Sequence, residues 1–80
     1  MAVHNKEIAD ILTRVADLLD IKGANEFRVR SYRNAARTIS DLSQSVAEKI
    51  EHGDDLSELP DVGSSMAEKL REIVETGELS

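Results

Sequence analysis

Cysteine and tryptophan are absent from the 80 residues, and proline, phenylalanine and tyrosine occur once each. Without cysteine there is no disulfide framework and no thiolate nucleophile, a composition consistent with a reducing compartment. With so few aromatic rings, the core has to be built from aliphatic side chains. No apolar run approaches the roughly 20 residues of a membrane span, and the N-terminus lacks an apolar signal core. The chain therefore reads as soluble and intracellular. A basic surplus is also missing: the net charge is −6, which argues against strong non-specific binding to duplex DNA. The distribution of charge qualifies that conclusion. Between Asn25 and Ser40, Arg28, Arg30, Arg33 and Arg37 stand against Glu26 alone, a local +3, so the rest of the chain carries −9. A basic stripe on an acidic body leaves room for a local phosphate site.

What is present is a globular composition, 40% hydrophobic and 32% charged, in a length that fits one small domain. Ile8, Ile11, Leu12, Val15, Leu18 and Leu19 recur at helical spacing between Asn5 and Ile21, opposite Glu7, Asp10, Arg14 and Asp17. Asn5 reads as the N-cap of this helix and Gly23 as its stop. Asn25 caps a second helix to about Ile39, with Val29, Tyr32, Ala35, Ala36 and Ile39 on one face and Arg30, Arg33 and Arg37 on the other. Arg28 is the exception, one turn before Tyr32 at the edge of the apolar face. A short helix from Ser43 or Ser45 to Glu51, a single turn within residues 54–59 and a helix from Ser64 to Thr76 complete the chain. The last helix carries Met66, Leu70, Ile73 and Val74 as its stripe, with Gly77 as terminator. The expected fold is an all-α compact bundle of four main helices plus a helical turn. His4 and His52 are too isolated to suggest a metal pair.

Pro60 ends the helical turn, because it lacks an N–H and clashes with the carbonyl four residues back. Gly63 then precedes a helix whose first N–H groups lack intrahelical partners and face outward with the positive end of the dipole. Such a terminus binds anions, and Ser64 and Ser65 add hydroxyl donors. Read by itself, "PDVG" before a helix is more often an ordinary connection between helices. In the same way, Lys69 by itself reads as a surface charge beside Glu72, although its place on the shoulder of the apolar stripe lets the stem be buried while the amine reaches a cleft.

The longer string shifts the balance between these readings. "LPDVGSSMAEKL", Leu59 to Leu70, resembles the helix-hairpin-helix motif, and "ELPDVGSSMAEKLREIVETGEL" is similar to the end of the amino-terminal domain of family X DNA polymerases. "FRVRSYRNAARTI", residues 27 to 39, resembles the second helix of that polymerase beta-like domain. The opening "NKEIADILTRVADLLDIKGANEFRVRSYRNAARTI" looks most like bacterial and archaeal members. The resemblance covers nearly the whole chain, 1–80, with the hairpin motif at about 54–77. It implies that a longer polymerase continues beyond "TGELS".

The resemblance implies a monomeric domain that binds gapped or nicked DNA near a 5′-phosphate. It also implies a lyase reaction that removes 5′-deoxyribose phosphate during base excision repair, in the prokaryotic cytoplasm at the nucleoid. The family's Schiff-base lysine falls on Lys69, with Glu68 and Glu72 beside it to abstract the C2′ proton. DNA contacts fall on Arg28, Tyr32, Arg33, Val62, Gly63, Ser64 and Ser65. Arg28 and Tyr32 are assigned to the 5′-phosphate; Arg30, Arg33 and Arg37 are assigned to non-specific attraction. A monovalent cation, potassium or sodium, falls on the backbone carbonyls of Ser57, Leu59 and Val62. Asp61 replaces a hairpin glycine, Ser57 and Ser65 stand where relatives have lysines, and Phe27 replaces a pocket histidine. These departures imply weaker DNA affinity than in eukaryotic relatives.

An attacking amine must be neutral, and an ordinary lysine is neutral in about one molecule in two thousand at pH 7. The chemistry therefore depends on how Lys69 is housed. If Lys69 is not the nucleophile, Lys49 and the amino terminus are the next candidates. Two other function classes remain at this point: a non-catalytic helix-hairpin-helix module that positions DNA, and a helical protein-interaction domain suggested by the acidic balance.

Overall fold

The structure, a computed structural model described over residues 4–79, contains α1 (Asn5–Ile21), α2 (Glu26–Asp41), α3 (Val46–Glu51), a 3-10 turn (Leu56–Glu58) and α4 (Ser64–Thr76). No strand occurs among the described residues, and the all-α expectation of four helices and a turn holds. The connections show why the elements stop where they do. The Asn25 side chain accepts from the Phe27 N–H at 2.7 Å, Ser45 caps α3 through the Glu48 N–H, and Asp55 starts the 3-10 turn by accepting from the Ser57 N–H. Gly77 ends α4 at φ 82, a left-handed conformation that costs glycine nothing.

Asn5 corrects the sequence reading. Its side chain caps nothing in α1, whose N-cap residue is His4. Instead its amide donates to the Gln44 carbonyl at 2.7 Å and accepts from the Val46 N–H at 2.9 Å. Asn5 thus fastens the start of α1 to the start of α3, some forty residues later in the chain.

The main packing surface lies between α1 and α2. Alanines make it close: Ala9 and Ala16 on α1 and Ala35 and Ala36 on α2 are all buried. Around them sit Ile8, Leu12, Val29, Tyr32 and Ile39, and the core continues through Val46, Leu56, Val62, Met66, Leu70 and Ile73. The α2 face is the one expected. On α1 the buried stripe is rotated toward the alanines, and Leu18, expected inside, is 58% exposed. Because α2 approaches along the small residues, Leu18 is turned toward the cleft beside α4.

Candidate functional site

The turn between the 3-10 segment and α4 bears the site. Leu59 is followed by Pro60, and Asp61 takes φ 62, a left-handed conformation that aspartate tolerates better than most side chains. The turn is closed by the Val62 N–H donating to the Leu59 carbonyl at 3.2 Å. It is tied to α2 by the Thr38 hydroxyl, which donates to the Asp61 carboxylate at 3.1 Å. Val62 anchors the hairpin in the core, where its side chain is buried and out of reach of a partner.

Gly63 has φ −91 and ψ −176, an extended conformation open to any residue. A Cβ added there would meet nothing within 4 Å. Neither backbone strain nor internal packing therefore accounts for a glycine at this position. No side chain caps α4, so its first-turn N–H groups face out beside the exposed Ser64 and Ser65.

A cleft of about 490 Å³ opens at this helix start, between α4 and α2. Arg28, Ser31 and Tyr32 form its α2 wall; Asp61, Gly63, Ser65, Met66 and Lys69 form the other. The Tyr32 ring is buried, yet no side-chain polar atom is buried without a partner among the described residues. Its hydroxyl therefore opens into the cleft. A second cleft of about 310 Å³ adjoins the first and shares Arg28, Tyr32 and Lys69 with it. Its other walls are Val15, Leu18, Leu19 and Leu79, with Lys22 and Glu72 at the polar side. Lys69, half-buried, stands between the two.

The fold thus brings together Arg28, Tyr32, Gly63, Ser65 and Lys69 from opposite halves of the chain. Glu72 joins Lys69 on the second cleft, whereas Glu68 is exposed and is absent from the walls of both. Arg33 is on another face, paired with Asp17 of α1 at 3.0 Å and near Asp20 at 3.9 Å. Such an exposed pair contributes at most about 1 kcal/mol and does not immobilise the arginine. Arg30 and Arg37 flank it along a shallow hollow. Lys49 pairs with Asp54 at 3.9 Å, away from both clefts, and the amino terminus lies outside the described residues. The carbonyls of Ser57, Leu59 and Val62 span the 3-10 turn and the turn that follows it. That of Leu59 accepts a single backbone bond, which leaves a second lone pair for a cation. Sequence reasoning missed Thr38, whose partner Asp61 comes from a tertiary contact that no local pattern encodes, and Ser31, whose hydroxyl donates to the Phe27 carbonyl one turn back but which also lines the cleft.

The clefts hold the cations Lys22, Arg28 and Lys69 against the carboxylates Asp61 and Glu72. This is a mildly positive surface on a chain of net charge −6. The model of a helix-hairpin-helix domain matches residues 3–79. The chain is also similar to the DNA polymerase/3′-5′ exonuclease PolX of Bacillus subtilis (strain 168), with 28% identity over 78 residues. That match covers 98% of this chain and 13% of the relative, so the chain spans about an eighth of the relative's length.

Proposed function

Because the chain belongs to the helix-hairpin-helix domain family, we propose that it is the DNA-binding domain of a family X DNA polymerase, one that engages a 5′-phosphate at a gap or nick. The observation that carries the reading is the convergence of Arg28, Tyr32, Lys69 and the uncapped start of α4 on one cleft. In this arrangement the Arg28 guanidinium and the Tyr32 hydroxyl donate to the phosphate oxygens. The first N–H groups of α4 and the Ser65 hydroxyl complete the shell. The open space at Gly63 admits the sugar-phosphate backbone of DNA. A monovalent cation at the carbonyls of Ser57, Leu59 and Val62 would supply positive charge for a neighbouring phosphate. The remaining domains of the polymerase would supply nucleotide transfer.

The finer reading adds chemistry at Lys69. Its neutral amine attacks the C1′ aldehyde of a ring-opened 5′-deoxyribose phosphate, and loss of water gives an imine. A base removes the C2′ proton, the electrons shift into the conjugated imine system, and the C3′–O bond breaks to release the DNA strand with its own 5′-phosphate. Water then hydrolyses the imine and regenerates the lysine. Glu72, on the same cleft as Lys69, is better placed for the C2′ proton than Glu68.

Labelled gapped DNA bearing a 5′-phosphate, titrated beside intact duplex at about 50 mM salt, tests the binding. Preference for the gapped substrate is expected. Equal, negligible binding to both would refute the DNA reading and leave the protein-interaction class. Borohydride trapping then separates a lyase, which yields a covalent protein–DNA adduct, from a module that only positions DNA.

A further inference from the structure

The second cleft is unexplained by phosphate binding. Its floor is aliphatic, made by Val15, Leu18, Leu19 and Leu79, and Leu18 there is 58% exposed. It is continuous with the phosphate cleft through Arg28, Tyr32 and Lys69. A group attached to a phosphate in the first cleft passes Lys69 to enter the second. Lys22, Arg28 and Lys69 against Glu72 give this cleft a surplus of positive charge, which suits an anionic ligand with a flat apolar body. We propose that the second cleft is a nucleobase subsite. On this view the domain takes a whole 5′-terminal nucleotide, with phosphate at Arg28 and Tyr32, sugar at Lys69 and base over Leu18 and Leu19. The proposal rests on the phosphate reading above for its first half only.

The volume of about 310 Å³ is at the lower end of small-molecule sites and accommodates a single base. Stacking of a base on an aromatic side chain is worth about 1–3 kcal/mol; an aliphatic floor gives the lower end of that range, so one base here adds about five- to tenfold in affinity. At a DNA end that gain is set against the unstacking of the terminal nucleotide. A free mononucleotide carries no such cost and is the cleaner probe.

The experiment is an NMR titration of the 80-residue chain with 1,2-dideoxyribose 5-phosphate, a sugar phosphate without the aldehyde that Lys69 would capture, deoxyadenosine and deoxyadenosine 5′-monophosphate. The nucleotide should bind about five- to tenfold tighter than the sugar phosphate and shift the methyl signals of Leu18 and Leu19. In Leu18→Ser, an exposed substitution whose fold is checked by circular dichroism, that advantage should disappear while the affinity for sugar phosphate is unchanged. Equal affinity for nucleotide and sugar phosphate, or an advantage that survives Leu18→Ser, overturns the subsite. So does the absence of any Leu18 response to nucleoside or nucleotide, which would leave the cleft for a neighbouring stretch of polypeptide. If deoxyadenosine shifts Leu18 while sugar phosphate leaves Arg28 and Tyr32 untouched, the phosphate reading fails and the base subsite stands.

Discussion

Asp61 is the residue at which stability and the proposed phosphate site pull in different directions, and replacing it separates them. In Asp61→Gly the left-handed φ of 62 becomes free of strain, a gain of about 1 kcal/mol. Against this, the 3.1 Å bond from Thr38 is lost at a cost of about 0.5–1 kcal/mol. The more flexible unfolded chain costs a further ~0.4–1 kcal/mol. Stability should therefore fall by no more than about 1 kcal/mol, the sum of these terms. Binding should move the other way. A carboxylate about 7 Å from a phosphate, at an effective dielectric of about 40–80, opposes each phosphate charge by about 0.6–1.2 kcal/mol. A terminal phosphate carries about 1.5–2 charges at pH 7, so removing the carboxylate should tighten binding to a 5′-phosphorylated gap about five- to fiftyfold, less at high salt.

Asp61→Asn is the control. It keeps a side chain suited to the left-handed turn and an oxygen for Thr38, so it should show the gain in affinity with little change in stability. Fluorescence anisotropy and urea denaturation measure the two quantities on the same samples. Thr38→Val adds a third point: it frees the carboxylate and should weaken phosphate binding. If Asp61→Asn and Asp61→Gly both bind no better than the parent chain, the phosphate does not approach this hairpin.

Arg28→Ala should lower the preference for a 5′-phosphate over a 5′-hydroxyl end, whereas Arg33→Ala should weaken both alike and reduce the salt slope by about one unit if it meets a phosphate. Lys69→Ala should abolish most borohydride trapping while leaving gapped-DNA binding within a few-fold; equal adduct from both proteins would move the nucleophile to Lys49 or the amino terminus. Asn5→Ala removes two bonds and strands the partly buried Val46 N–H, which should cost about 1–3 kcal/mol in urea denaturation. A loss below 0.5 kcal/mol, less than one typical bond is worth, would mean that the loop is held by other contacts. The Asp55 carboxyl is held below its ordinary value by the Ser57 hydroxyl and then by the Ser57 N–H. The sign follows: its contribution is fully present above about pH 4, near the ordinary aspartate value, and is lost as pH falls through the lower folded value. The stability difference between parent and Asp55→Ala should accordingly stay flat from pH 7 to about 5 and shrink in stronger acid; a difference that grows in acid would contradict this.

The helices were legible because their signals are local. Caps at Asn25, Ser45 and Asp55 and the stop at Gly77 each act within three or four residues, and the buried face of α2 follows from its own phase. The failures share a cause. Leu18 reads as a core residue because apolar spacing weighs leucine over alanine, yet α1 buries Ala9 and Ala16, the residues that permit close approach. Asn5 reads as a cap because nothing local shows that Gln44 and Val46 return beside it. The site divides in the same way. The hairpin and Lys69 stand in one string, and Arg28 was noticed because it breaks the pattern of its helix. That the clefts join through Arg28, Tyr32 and Lys69 is a fact of packing between α2 and α4.

Charge follows the same division between local and global. The net −6 is a property of the whole chain, but at about 0.1 M salt exposed charges are screened beyond roughly 10 Å. The described residues extend 37 × 23 × 19 Å, so most of the acidic body lies farther from the clefts than that. What a phosphate proposed there would meet is the local set that lines the clefts: Arg28 and Lys69 on both, Lys22 on the second, Asp61 held by Thr38, and Glu72 on the second cleft. Two carboxylates against three cations make a weak attractor, and weakness is compatible with the proposed role. A domain joined to a polymerase does not have to find DNA alone, because linkage makes its encounter intramolecular and raises its effective concentration toward the millimolar range. On the proposed reading, a mildly positive cleft on an acidic body would discriminate a 5′-phosphate without holding intact duplex, which the net charge of the whole chain disfavours.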